Sequence, residues 1–260
     1  MRSKRAGRLI TGLTMVGLTV GLTACGDGED GRVVAGETVT AFGGEVSSWA
    51  RVNDSDRVTE VGVTLPMATV NGSVTRHEGG PAGAVITLDY PSEVTGQTFF
   101  NHFELHFNET GHPPAKFQVP HFDLHWYGVP VSEVEAVVPT DTGLPAANRF
   151  AAGYTMPTTL EQYQAGIIPQ MGFHSLNLAD LDSPDPFTAT MVLGYYAGGL
   201  TFLEPMITVD HLQDEQSFTM TVPRPPVIGR NVLYPSRFVS TFDAAADAWH
   251  MAFEDFILVN

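Results

Sequence analysis

"HFELHF" at 102–107 and "HFDLHW" at 121–126 nearly repeat each other, each reading His, aromatic, acid, Leu, His, aromatic. In a β-strand, alternate side chains share a face. As strands, the two segments put Phe103, Leu105 and Phe107, and Phe122, Leu124 and Trp126, on one side. His102, Glu104 and His106, and His121, Asp123 and His125, fall on the other. The intervening "NETGHPPAKFQVP" is long enough for the copies to pair through a loop. Paired, they would line one face with four histidines and two carboxylates. For the first copy alone, the simplest expectation is an amphipathic strand with a polar outer face.

The same period-two alternation recurs along the chain. It marks "EVGVTLP" (60–66), "AVITLDY" (84–90), "PFTATMVLGYY" (186–196), "GLTFLEPMITV" (199–209), "SFTMTVP" (217–223) and "AWHMAFEDFILV" (248–259). Pro and Gly are scattered throughout, which argues against long helices and for short strands joined by turns. "TTLEQYQAGI" (158–167) reads as a short helix capped by Thr158 or Thr159, with Glu161 in its first turn. The fold expected is a mainly β, single antiparallel domain over residues 37–260, sandwich or barrel-like, with one or two short helices.

The N-terminus points to a compartment. "MRSKRAGR" carries four basic residues and no acid, and an apolar run follows that is short for a membrane-spanning helix. It ends in "LTAC", the pattern of a bacterial lipobox. This predicts a signal peptide over 1–24, a lipid on Cys25, and a flexible tether over 25–36. Cys25 is the only cysteine, so no intramolecular disulfide forms. The expected product is an extracytoplasmic lipoprotein of the cell envelope, held to a membrane through Cys25.

The formal net charge is −16, and it becomes −20 once the four basic residues of 1–24 are removed. So acidic a surface repels nucleic acid, which is excluded as a partner. Homo-oligomer formation and the identity of any small-molecule ligand stay open.

The histidines carry the chemistry. On a straight strand, residues i and i+4 lie roughly 13 Å apart at about 3.3 Å per residue. Zn–N bonds are about 2.0–2.1 Å, so His121 and His125 could share an ion only from a helix or across a bulge. At spacing i, i+2, His121 with Asp123, or Asp123 with His125, could chelate. His174 follows a Gly in "PQMGFHSLN", read as a loop. Glu204 sits in apolar "FLEPMIT", directly before Pro205, where a carboxylate needs a cationic partner if buried. Three imidazoles and one carboxylate suit zinc first, then iron or manganese. His121, His125, His174 and Glu204 are therefore the expected ligands of one divalent metal, with His112 or Asp123 as alternate or supporting groups. His77, His211 and His250 have no chemical neighbour in sequence. A Ser175–His174–Asp180 triad is a weak alternative, because sequence neighbours rarely form one. No phosphate loop, dinucleotide fingerprint or nucleophile elbow is present.

"NETGHPP", "VPHFDLHWY", "MGFHSLN", "YYAGGLTFLEPMIT" and "YPSRFVSTFD", in this order, resemble a bacterial domain family of unknown function typified by a hypothetical Thermus protein, whose members are sometimes labelled hydrolases. The resemblance spans most of 35–260 and implies a β-rich, often exported domain. It falls on His112, His121, His125, His174 and Glu204, and leaves His102 outside. It brings no established activity with it. Two functions are thus expected: a metal-dependent hydrolase, or a non-enzymatic binding or assembly module whose histidines form a structural polar network.

Overall fold

The computed structural model describes residues 31–75 and 86–260, so the signal-peptide and Cys25 expectations, and His77, lie outside the described residues. The strands are β1 (Arg32–Ala41), β2 (Gly44–Val52), β3 (Val58–Pro66), β4 (Ile86–Asp89), β5 (His102–Asn108), β6 (His121–Tyr127), β7 (Ile167–Ile168) and β8 (Gly172–Ser175). They continue as β9 (Ala189–Tyr196), β10 (Gly199–Thr208), β11 (Phe218–Thr221), β12 (Val232–Tyr234), β13 (Arg237–Asp243), β14 (Ala248–Glu254) and β15 (Ile257–Val259). The chain is mainly β, as the alternation predicts, and its helices are short. No helix among the described residues is long and apolar enough to cross a membrane.

Two antiparallel sheets share one apolar core. The first runs β1-β2-β3-β14-β13-β11 and the second β4-β5-β6-β10-β9-β8-β7, while β12 and β15 pair separately. Trp126 of the second sheet packs against Phe238 and Phe253 of the first, ring centres 5.8 and 5.1 Å apart. The apolar side chains of both near-repeats enter this core, which accounts for their Phe, Leu and Trp positions. Burying them removes apolar surface from water, the main favourable term in the fold.

The near-repeats form a hairpin. His102 faces Tyr127, Glu104 faces His125, His106 faces Asp123, and Asn108 faces His121. Their second face is not a polar outer face, however. His102, Glu104, His106, His121, Asp123 and His125 are all buried. Two small apolar clusters close over it. One holds Phe117, Phe187, Val192 and Met206, and the other Tyr127, Val134 and Phe202. Alternation reports which residues share a side, and both sides of a central strand can be covered.

Further departures from expectation have local causes. Residues 32–36, assigned to the tether by composition, begin β1, a largely exposed strand at the sheet edge that carries no apolar periodicity. His174, expected in a loop, lies on the short strand β8. The segment 248–259 is two strands, broken where Asp255 takes φ 55°. The helix expected over 158–167 occupies Leu160–Ala165, capped by the Thr159 side chain accepting from Gln162 N at 3.2 Å.

Candidate metal centre

Three strands and one loop bring the chemistry together. β6 lies between β5 and β10, and its register with β10 pairs Leu203 with Trp126 and Met206 with Asp123. The same register sets Glu204 opposite His125. Pro205, which has no N–H to donate, falls where the β6–β10 pairing is interrupted. His174 enters from β8, opposite Gly194 on β9. A side chain at Gly194 would strike the Phe202 ring, so this glycine is needed for the ring to lie flat across β9. Phe202 then packs against both His125 and His174, at 4.8 and 5.1 Å between ring centres.

The face holds two separate ligand groups. His125, His174 and Glu204 form one, and His112, His121 and Asp123 the other; within each, all ligand atoms lie within 4.8 Å of one another. The single four-ligand set expected from sequence is thus divided. His125, His174 and Glu204 are brought together, and His121 sits instead with Asp123 and His112. The reason is the one that strand geometry supplies. β6 carries no bulge in its pairing with β5, so His121 and His125 stay four residues apart on a regular strand.

In the first group, Nε2 of His125 and Nε2 of His174 are each 3.6 Å from the same Glu204 oxygen. That is too long for a hydrogen bond. Glu204 Oε2 and both ring nitrogens of His125 are buried without a hydrogen-bond partner. The His174 ring is oriented by Nδ1 donating to the Gly172 carbonyl at 3.2 Å, which leaves its Nε2 lone pair toward Glu204. His125 is instead held by packing, its ring stacked on Tyr127 at 5.5 Å and edge-on to Phe202.

Burial shapes the electrostatics. It pushes His174 down to about 4, and burial with the adjacent His106 pushes His125 well below its ordinary value. Burial, then the charge of Asp123, pushes Glu204 well above the carboxylate range. Both imidazoles are therefore neutral at pH 7, as ligation requires, and the carboxyl lacks a counter-charge.

The first near-repeat forms a different arrangement, which sequence reasoning passed over. Glu104 reaches His106 Nε2 at 3.2 Å through one oxygen and His102 Nε2 at 3.5 Å through the other. Burial would raise this carboxyl, but the two imidazoles outweigh it and bring it to about 2. The repeat itself was the signal, because both copies carry a carboxylate between two histidines. The weak triad does not assemble. Ser175 Oγ donates to the Thr155 carbonyl at 2.5 Å, and Asp180 accepts from Thr190. His250 pairs with Thr64 Oγ1 at 3.1 Å, away from the face.

Fold and site together define a two-sheet antiparallel β protein whose buried His, Asp and Glu groups could hold a metal ion. Comparison with family models, curated proteins and solved structures gives no match to this chain.

Proposed function

We propose that the protein is a metal-binding protein of the cell envelope whose working centre is His125, His174 and Glu204. One observation carries this reading: two neutral imidazole nitrogens and an unpartnered, buried carboxylate oxygen converge without hydrogen bonds between them. A tetrahedral ion with bonds of about 2.0–2.1 Å holds its ligands roughly 3.3–3.4 Å apart. The two 3.6 Å edges to Glu204 need only slight contraction to fit, and the edge between the two imidazoles lies within 4.8 Å. Two histidines and one glutamate with a remaining open position suit zinc in hydrolytic sites, and also non-haem iron. When bound, a zinc-type ion supplies Lewis acidity at that open position.

The protein's own contribution is orientation and exclusion of water. Gly172 fixes His174, Phe202 and Tyr127 fix His125, and burial keeps both imidazoles unprotonated. The His174 side chain, 15% exposed, is the point of contact with solvent. Metal-assisted hydrolysis is the reaction this set fits best. Glu104 supports the other expectation locally, hydrogen-bonded to His106 at 3.2 Å with the His102 ring 3.5 Å away, a polar network on the hairpin's buried face.

The envelope address rests on the sequence, through "MRSKRAGR" and "LTAC". Cys25→Ser would abolish labelling by a fatty-acid analogue and release the protein from membranes. Labelling that persists in this variant would remove the lipoprotein reading.

Elemental analysis tests the centre. Protein purified without an affinity tag is expected to carry metal that His125→Ala and His174→Ala both lose. Metal content equal in wild type and both variants would overturn the assignment. Turnover of ester, phosphate or lactone substrates by the metal-loaded protein alone would place it among hydrolases.

A further inference from the structure

We propose that His112, His121 and Asp123 form a second divalent-metal site, which fastens the β5–β6 loop to the sheet. It shares no ligand with the His125–His174–Glu204 centre and does not depend on it.

The argument begins with the ring nitrogens. Nδ1 of His112 lies 2.8 Å from the Pro113 carbonyl, and Nδ1 of His121 lies 2.7 Å from the Val119 carbonyl. A carbonyl only accepts, so each Nδ1 carries a proton and each ring turns its Nε2 toward Asp123. Asp123 Oδ2 already accepts from Asn108 Nδ2 at 2.6 Å and lies 3.6 Å from His112 Nε2. Its Oδ1 lies 3.1 Å from His121 Nε2, yet both atoms are buried without a hydrogen-bond partner. The distance suits a hydrogen bond and the direction does not. Two ring nitrogens and a carboxylate thus converge, and one cation would serve all three.

The separations of 3.1 and 3.6 Å bracket the roughly 3.3–3.4 Å edge of a tetrahedral zinc site. Two imidazoles and one carboxylate select zinc or cobalt over calcium or magnesium, which need more oxygen ligands. His121 and Asp123 are at i and i+2 on β6, the chelating spacing on a strand. His112 comes from the loop, just after Gly111 turns the chain at φ 66°. The His112 side chain is 34% exposed and gives an ion a way in. A metal here would join the loop to β6 covalently in effect, where Phe117 packs on Phe187 at 4.9 Å.

Untagged protein stripped with a chelator is titrated with Co2+ and then Zn2+, following stoichiometry and the visible cobalt band. Wild type is expected to bind two equivalents, and His112→Ala and His174→Ala one each. Zn2+ should slow amide exchange over 110–118 in wild type and His174→Ala, and leave it unchanged in His112→Ala. His112→Gln must reproduce His112→Ala, which guards against a folding defect. One equivalent, lost in His174→Ala but intact in His112→Ala, overturns this site and leaves the other centre standing. One equivalent, lost in His112→Ala and intact in His174→Ala, supports this site and removes the other. No binding by wild type overturns both.

Discussion

His125 and Glu204 face each other across β6 and β10, Nε2 to Oε2 at 3.6 Å, and neither atom has a hydrogen-bond partner. Folding has placed a carboxyl among apolar rings and left it unsatisfied, an arrangement that weakens the metal-free protein. Sites built for a ligand commonly carry such a cost.

Glu204→Gln tests that cost. An amide of the same shape would offer an N–H to the Nε2 lone pair of His174 and carries no charge to bury. In chelator, the variant should melt at or above the temperature of wild type. It should also bind Zn2+ at least 100-fold more weakly at this centre. Calorimetry checks both, and a chelated variant melting several degrees below wild type would contradict the argument.

Proton release gives a second test, best made in a His112→Ala background to isolate the centre. Glu204 is raised, so below its elevated pKa it holds a proton that a metal must displace. His174, at about 4, and the depressed His125 release none at pH 6. Zn2+ binding at a pH below the raised Glu204 pKa should therefore liberate about one proton, and affinity should climb up to tenfold per pH unit until Glu204 ionises. Titration in buffers of different ionisation enthalpy counts the protons. Two or more would mean that the histidines start out charged.

Gly194→Ala reaches the same centre through packing. The added methyl would meet the Phe202 ring, which lies against His125, His174 and Tyr127. Overpacking of this kind typically costs about 1–3 kcal/mol. Urea denaturation should show a loss in that range, and Zn2+ affinity should fall as the rings shift. An unchanged affinity alongside the lost stability would show that Phe202 does not position the two histidines.

How much of this was legible in sequence differs by residue. The strands at 102–107 and 121–126 followed from period two, and so did the division of each copy into an apolar and a polar side, whereas their pairing as a hairpin was only one arrangement the intervening loop allowed. What period two cannot report is whether a polar side is covered, and here Phe117, Phe187, Val134 and Phe202 arrive from elsewhere in the chain to cover it. Strand geometry already argued that His121 and His125 do not share an ion on a straight strand. Choosing between helix, bulge and straight strand needed the observed register. β1 and β13 escaped notice because they are rich in polar residues, and β8 because four residues are too few to show a period.

The Glu104 network makes a prediction in acid. Its carboxyl is held at about 2 against an ordinary 4.5, so in the folded state it resists protonation that the unfolded chain accepts. The stability it contributes is complete above pH 4.5 and is lost as pH falls toward 2. The stability difference between wild type and Glu104→Gln should therefore shrink over that interval, with a slope of up to ~1.4 kcal/mol per pH unit. Taking the difference removes the contribution of His174, which titrates at higher pH in both proteins. Urea titrations at intervals between pH 5 and 2 measure the slope. Parallel curves would mean that His102 and His106 do not hold the Glu104 charge.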